Sequence, residues 1–140
     1  MEFVYYNANP LQKHVRDCVY RAMSYFFDEL WRVVVIKVVR NAMLSGNVNF
    51  NYTTNIVDFM RNQGYKRLKV PRKGMTVGEF GEQHAKPNEV YLIHTVKPQH
   101  LTIIDGGVLF DTWDCSYCAM DYYFKKEREV TDENVYAAFR

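Results

Sequence analysis

The spacing of apolar residues changes partway along this chain. Up to residue 84 they recur mostly every three or four positions, as on one face of a helix, whereas from Glu89 onward they alternate with polar residues, as in a strand. The first pattern predicts helices over residues 18–26, 29–44, 55–62 and 77–84. The second predicts strands over residues 90–96, 100–104, 108–111 and 121–126, with further short strands at 3–6 and 65–70 and a helix or tail from Thr131. Helices followed by strands indicate an α+β fold, with the helices in the N-terminal half and an antiparallel β-meander in the C-terminal half.

One segment gives conflicting signals. Residues 33–39 are mostly valine and isoleucine, which favour strands. The flanking residues are typical of a helix, and Ser45-Gly46 is a reasonable helix end, so we predict a helix that is buried because it is apolar on most sides. Asp28 either begins this second helix or lies within one bent helix.

Composition narrows the class of protein. A length of 140 residues suits a single domain over residues 1–140. A net charge of +2, from dispersed basic residues, argues against nucleic acid as a partner. The high aromatic content of 16% predicts a tight core and an aromatic-lined cleft.

The chain has no run of about 18 apolar residues, so no membrane span is expected. The N-terminal residues lack the basic start and apolar stretch of a signal peptide, so we expect a cytoplasmic protein. Three cysteines cannot all pair within the chain, which argues against a complete disulfide framework.

Cys18 occupies the predicted first turn of the first helix. Asp17 is a suitable N-cap, and the positive end of the helix dipole favours the thiolate of a cysteine placed there. Such a cysteine is a candidate nucleophile. The alternative is that Cys18 is a small buried apolar residue, which is common for a free cysteine.

A nucleophilic cysteine needs a base and a group that orients the base, and the predicted hairpin offers both. A two-residue turn at Asp105-Gly106 would place His100 directly across from Asp111, within reach of its carboxylate. Taken singly, His100 could be an exposed strand-edge residue and Asp111 the cap of a turn. Asp114 is the alternative orienting group if the turn is longer than two residues.

The order of Cys18, His100 and Asp111 resembles that of the papain-like cysteine peptidase fold. In that fold a cysteine begins the central helix of a helical half, and a histidine with asparagine or aspartate follows from a β half. The segments at residues 17–22 and 100–114 look like those of small papain-like proteins of phages and bacteria, and the layout is similar to that of bacteriocin-leader peptidases. The family's oxyanion glutamine precedes the cysteine by six residues, which here implies that role for Gln12.

The resemblance implies a cysteine-dependent hydrolase or acyl transferase of the peptidase or isopeptidase kind, acting on a peptide or protein without a cofactor. Two departures stand out: an aspartate precedes Cys18, and the chain is much shorter than a typical papain-type protease. The alternative is a catalytically inactive binding or inhibitor protein of the same fold, of viral origin.

Cys115-Ser116-Tyr117-Cys118 is a competing candidate site, since a Cys-x-x-Cys pair occurs in zinc sites and in redox pairs. A structural zinc site needs two more ligands, and the sequence has no second such pair. His94 or His100 would have to contribute. We therefore predict that neither cysteine binds a metal.

Overall fold

The computed structural model describes residues 1–49 and 53–128. Over these residues the chain forms four helices and one six-stranded sheet, which confirms the α+β class. The elements in chain order are β1 (Phe3–Tyr5), α1 (Cys18–Phe27), α2 (Trp31–Ser45), α3 (Thr53–Asn62), β2 (Leu68–Lys69), α4 (Val77–Gln83), β3 (Glu89–Thr95), β4 (His100–Asp105), β5 (Val108–Asp111) and β6 (Met120–Glu127). The helix or tail predicted from Thr131 lies outside the described residues.

The strands are ordered β1-β5-β4-β3-β6-β2 across the sheet. The prediction of a simple meander is correct only for β3, β4 and β5, which pair in sequence and antiparallel. Strand β6 returns to the free edge of β3 instead of adding beside β5. The N-terminal half also contributes to the sheet, because β1 pairs parallel to β5 and β2 pairs antiparallel to β6.

Other elements of the chain cover both faces of the sheet. The central strands β3 and β4 have buried apolar side chains on each face. On one face α1 lies against β3 and β4, and α2 and α3 join the same buried cluster. The largest buried residues of these helices are Met23, Phe26, Phe59 and Met60. On the other face α4 packs with Phe80 at its centre, and the loop that carries Cys115 and Cys118 completes the second cluster. The start of α1 therefore lies over the sheet near the beginning of β4.

Helices α1 and α2 are separate, because Asp28 ends α1 in the left-handed conformation with φ 51°. The prediction that α2 is a buried helix is wrong. It buries Val34, Val38 and Ala42, which recur at every fourth position, and leaves Ile36 and Leu44 exposed by 66% and 80%. The apolar run therefore reflects a narrow buried stripe beside an exposed apolar face. None of the described helices combines the length and apolarity that crossing a bilayer requires.

The β4–β5 turn determines which residues of the hairpin face each other. Its central residues are Gly106 and Gly107, with φ of 59° and 79°, instead of the predicted Asp105-Gly106. A two-residue hairpin turn of this type needs positive φ at both positions, which two glycines adopt without strain. The side chain of Asp105 accepts a hydrogen bond from the Tyr25 hydroxyl at 2.6 Å. The observed register pairs Ile103 with Phe110, so the predicted register is wrong by two residues.

Candidate active site

Cys18 is the first residue of α1 and lies in the wall of a cavity of about 570 Å³. The first main-chain bond at this helix end runs from the Arg21 N–H to the Asp17 carbonyl, so the Cys18 N–H has no partner within the helix. The thiol is neither fully exposed nor fully buried. The cavity is lined by His14, Val15, Arg16, Cys18, Val19, Arg21, Ile56, His94, Pro98, Gln99, His100, Leu101, Thr112 and Trp113.

Asp17 does not cap α1 as predicted, because its side chain makes no capping hydrogen bond. Its buried carboxylate instead accepts hydrogen bonds from the Arg21 guanidinium and from Trp31 Nε1, the latter at 3.0 Å. Asn9 Nδ2 donates a third bond at 3.2 Å. A carboxylate beside a nucleophilic thiol opposes ionisation, and its pairing with Arg21 reduces that opposition.

His100 and Asp111 form a buried pair in which Nε2 lies 2.6 Å from Oδ2. The register places Thr102, not His100, beside Asp111, so the two groups are diagonal neighbours across β4 and β5. The error of two residues leaves every side chain on its predicted face, because strand side chains alternate with a period of two. His100 and Asp111 are therefore still in contact, although the register of their strands differs from the predicted one.

Asp111 is held by contacts on both of its oxygens. Oδ1 accepts from the Thr112 N–H at 2.6 Å, and the Arg21 guanidinium lies 3.8 Å from the same oxygen. Asp114, the alternative orienting group, is exposed and accepts from the Ser116 N–H at 3.0 Å. Asp111 is thus the carboxylate that holds His100. The Trp113 indole packs beside the pair, with its ring centroid 4.9 Å from that of the His100 imidazole.

Proton affinities within this group favour the ionised thiol. Burial alone raises the pKa of Cys18, but a hydrogen bond from His100, the charge of that ring, the Leu101 backbone and the charge of Arg21 bring the pKa below its ordinary value. Burial would lower the pKa of His100, but hydrogen bonds to Asp111, Cys115 and Cys18 raise it to about 11. The arrangement therefore stabilises a thiolate beside an imidazolium.

The carboxylate of this group also stays ionised. Burial raises the pKa of Asp111, but the hydrogen bond and charge of His100 hold it below the usual value for an aspartate. A negative Asp111 stabilises the positive ring in turn. With Nε2 engaged by Asp111, Nδ1 is the ring nitrogen that remains for proton exchange with a thiol.

The pKa values of the other two cysteines are raised, opposite to that of Cys18. Burial raises the pKa of Cys115 and of Cys118, and both belong to the apolar cluster on the second face of the sheet. The Cys115 thiol lies 3.6 Å from Asp111 Oδ2. Among the three thiols, only that of Cys18 has a lowered pKa, and it is also the one that borders the cavity.

The structure does not bring Gln12 to the cavity. Its exposed side chain donates through Nε2 to the Asn7 carbonyl at 3.0 Å and to the Asn9 carbonyl at 2.8 Å. Both amide hydrogens are used within the loop before α1, where Gln12 itself adopts φ 53°. The oxyanion role predicted for Gln12 has no support in this arrangement, and the Cys18 N–H is the donor that remains at the thiol.

A metal ion has one candidate ligand set among the described residues, formed by His100, Asp111 and Cys115. Imidazole, carboxylate and thiolate suit Zn²⁺, whose tetrahedral N and O ligands stand about 3.3 Å apart. The observed 2.6 Å between Nε2 and Oδ2 is a hydrogen-bond length. Zinc would therefore have to break the pair that orients His100.

We expect that neither the stability of the protein nor the reactivity of Cys18 depends on a metal at Cys115 or Cys118. Chelation with EDTA should leave the melting temperature and the alkylation rate of Cys18 unchanged, because the His100–Asp111 bond occupies the place of an ion. Stoichiometric zinc in the purified protein, lost in Cys115→Ser, would contradict this expectation. Cys118→Ser serves as the control, since Cys118 is outside the candidate ligand set.

Two cavity residues had not been predicted from the sequence as catalytic residues, and His94 had been considered only as a further zinc ligand. Arg21 links Asp17 to Asp111, and its spacing of four from Asp17 on one helix was the available signal. His94 lines the cavity from β3 and is bonded to Asp121, which is far from it in the sequence. Only the register of β3 with β6 brings these two side chains together.

Searches against family models, curated proteins and solved structures find no match to this chain. The chemistry must therefore be argued from the site itself. A thiol of lowered pKa, a histidine held by a buried carboxylate and a free N–H at a helix start form a group suited to covalent acyl transfer.

Proposed function

We propose that this chain is a cysteine-dependent hydrolase or acyl transferase, of the peptidase or isopeptidase kind. The observation that carries the proposal is the buried His100–Asp111 pair beside Cys18, a thiol of lowered pKa at the border of a cavity. A structural cysteine requires neither a lowered pKa nor access to a cavity. Nucleophilic cysteines require both.

In the proposed reaction the Cys18 thiolate adds to the carbonyl carbon of a peptide or isopeptide bond. The oxygen takes the negative charge and accepts a hydrogen bond from the Cys18 N–H. His100 gives its Nδ1 proton to the amine as the carbon–nitrogen bond breaks, leaving a thioester. Water or an acceptor amine then attacks the thioester and loses a proton to His100. The carbon–sulfur bond breaks, and the thiolate beside a protonated His100 is restored.

The papain-like arrangement is part of the same proposal. Its support is the chain order: a cysteine at the start of a helix packed on the sheet, then a histidine and an aspartate from adjacent strands. The four helices all precede β3, while the strands that carry His100 and Asp111 follow it. The shared order concerns positions and roles, whereas activity depends on the site itself.

One observation favours the alternative of an inactive binding or inhibitor protein. The Gln12 amide is bound to its own loop, which leaves the oxyanion with a backbone donor alone. Loss of one oxyanion donor costs about 10² to 10³ in turnover rate. A protein of this kind would retain the cavity as a binding surface and release no product.

The test is the alkylation rate of each cysteine with iodoacetamide between pH 5 and 10, followed by mass spectrometry of peptides. Because the pKa of Cys18 is lowered and those of Cys115 and Cys118 are raised, Cys18 should be labelled first at about pH 6. Its rate should fall as acid protonates the thiolate. A rate no higher than that of free cysteine, with no substrate cleaved from a peptide library, would favour the binding protein.

Asp111→Asn should reduce turnover by roughly 10- to 100-fold, less than the loss of general acid–base catalysis as a whole. The amide oxygen can still accept from His100, but it no longer supplies the charge that raises the pKa of that ring. The pKa of His100 should fall and that of Cys18 should rise. The alkaline limb of the rate profile should therefore move to lower pH, and an unchanged profile would show that Asp111 does not act on His100.

A further inference from the structure

A second histidine–carboxylate pair borders the cavity, on the helix-covered side of the sheet. His94 Nδ1 lies 2.7 Å from Asp121 Oδ1, and the imidazole stacks on the Tyr122 ring with centroids 4.6 Å apart and planes 8° apart. The side chain of His94 is 3% exposed and lines the cavity. The bond and the stacking together fix the orientation of the ring.

The other ring nitrogen, Nε2, makes no hydrogen bond to any atom of residues 1–49 and 53–128. It remains accessible to solvent. A carboxylate can only accept, so Nδ1 carries the hydrogen of the bond to Asp121, and in that tautomer of imidazole Nε2 presents a lone pair. Because Nε2 opens only to the cavity, its hydrogen bond must come from water or from a ligand there.

The surroundings of His94 are apolar. Leu101 is its cross-strand neighbour, and Val19 and Ile56 belong to the same buried cluster and line the same cavity. These side chains suit the aliphatic part of a ligand, with His94 as a polar contact at its end.

The charged residues of the cavity lining limit which chemical group can donate a hydrogen bond to Nε2. Among the described residues, the cavity has no aspartate or glutamate in its lining, whereas Arg16 and Arg21 line it. An ammonium group would meet the charge of Arg16 without a carboxylate in the described cavity wall, since Arg21 is already paired with Asp17. A carboxylate has no hydrogen to give to the Nε2 lone pair. A neutral hydroxyl or carboxamide meets both conditions.

We propose that His94 Nε2 is the specificity-determining acceptor of a substrate subsite, which takes a side chain that is apolar along its length and ends in a neutral hydrogen-bond donor. Threonine, tyrosine, asparagine and glutamine carry such a hydroxyl or carboxamide. The inference rests on the proposed function, because it places the subsite in the substrate cleft of Cys18. It adds the class of side chain that the cleft selects.

The test uses four iodoacetamides whose nitrogen carries a short alkyl chain ending in a methyl, a hydroxyl, an ammonium or a carboxylate group. In each reaction the Cys18 sulfur bonds to the methylene carbon and iodide leaves. The measurement is the second-order rate of Cys18 alkylation, divided by the rate of the same probe with free cysteine. We expect the hydroxyl probe to exceed the methyl probe by about 3- to 10-fold, the effect of one net hydrogen bond.

His94→Phe should abolish that preference, because phenylalanine retains the stacking on Tyr122 and removes Nε2. His84→Phe is the matched control, since His84 also stacks on an aromatic ring, that of Phe80 at 5.8 Å, but lies outside the cavity lining. If His94→Phe fails to fold, Asp121→Ala takes its place, because it releases the ring from its anchor.

The outcomes separate the two proposals. Fast alkylation of Cys18 without a preference for the hydroxyl probe, or with a preference for the ammonium or carboxylate probe, would overturn the subsite and leave the proposed function standing. Alkylation of Cys18 no faster than free cysteine by all four probes would overturn both. A hydroxyl preference that persists in His94→Phe would also overturn the subsite.

Discussion

Cys18→Ser should abolish turnover, with a loss of more than about 10⁴-fold, while changing the free energy of unfolding by less than about 1 kcal/mol. The hydroxyl fits a part-exposed site at a helix start, so the fold loses little. Its proton is far harder to remove than that of the thiol, and His100 is placed for a thiol of lowered pKa. Turnover on a peptide library and thermal melting measure the two effects. His100→Ala should cost nearly as much turnover, because nucleophile and base act as a unit.

Cys118→Ser provides the matched control, because it makes the same replacement in an apolar cluster away from the cavity. An unpaired buried hydroxyl should destabilise the fold by about 1–3 kcal/mol and leave turnover per folded molecule unchanged. The two variants should thus show opposite patterns of stability and activity. Full turnover in Cys18→Ser would end the covalent mechanism.

The order and type of the elements follow from the sequence because they depend on local periodicity and turn residues. The fourth helix is an example: Thr76 accepts from the Glu79 N–H at 3.1 Å, the bond that a threonine followed three residues later by a glutamate favours at a helix start. The pairing of His100 with Asp111 was also predicted, although the Gly106-Gly107 turn moved the register by two residues. An error of one residue would have placed the two groups on opposite faces of the sheet.

The contacts that the sequence did not reveal are those between distant segments. The capping role of Asp17 was predicted from its neighbours, yet its carboxylate bonds to Trp31 of the next helix and to Asn9 of the preceding loop. The exposed face of α2 was not predicted, since an apolar run does not show which face the neighbouring helices cover. Gln12 precedes Cys18 by the expected six residues. Its own left-handed backbone conformation, however, directs its side-chain amide to the Asn9 carbonyl of the loop.

Arg21→Met should be the most destabilising single substitution near the site, by about 3–5 kcal/mol, because it leaves the buried Asp17 carboxylate without its cation. Arg21 bonds to Asp17, lies 3.8 Å from Asp111 and donates to the Val15 carbonyl at 3.2 Å. The guanidinium therefore connects the loop before Cys18 to the strand that orients His100. Chemical unfolding measures the loss, and the alkylation rate of Cys18 at pH 6 should fall with it, because Arg21 helps to lower the pKa of that thiol.

Arg61→Met is the matched control for Arg21, since Arg61 also pairs with an aspartate on its own helix, Asp58 at 2.7 Å, but is 69% exposed. Its loss should cost less than about 1 kcal/mol, as for other surface pairs. Adding Asp17→Asn to Arg21→Met should recover part of the stability, because the asparagine oxygen still accepts from Trp31 Nε1 without leaving a buried charge. If the double variant instead loses the full sum of the single effects, Arg21 stabilises the fold through the packing of its aliphatic chain and not by neutralising Asp17.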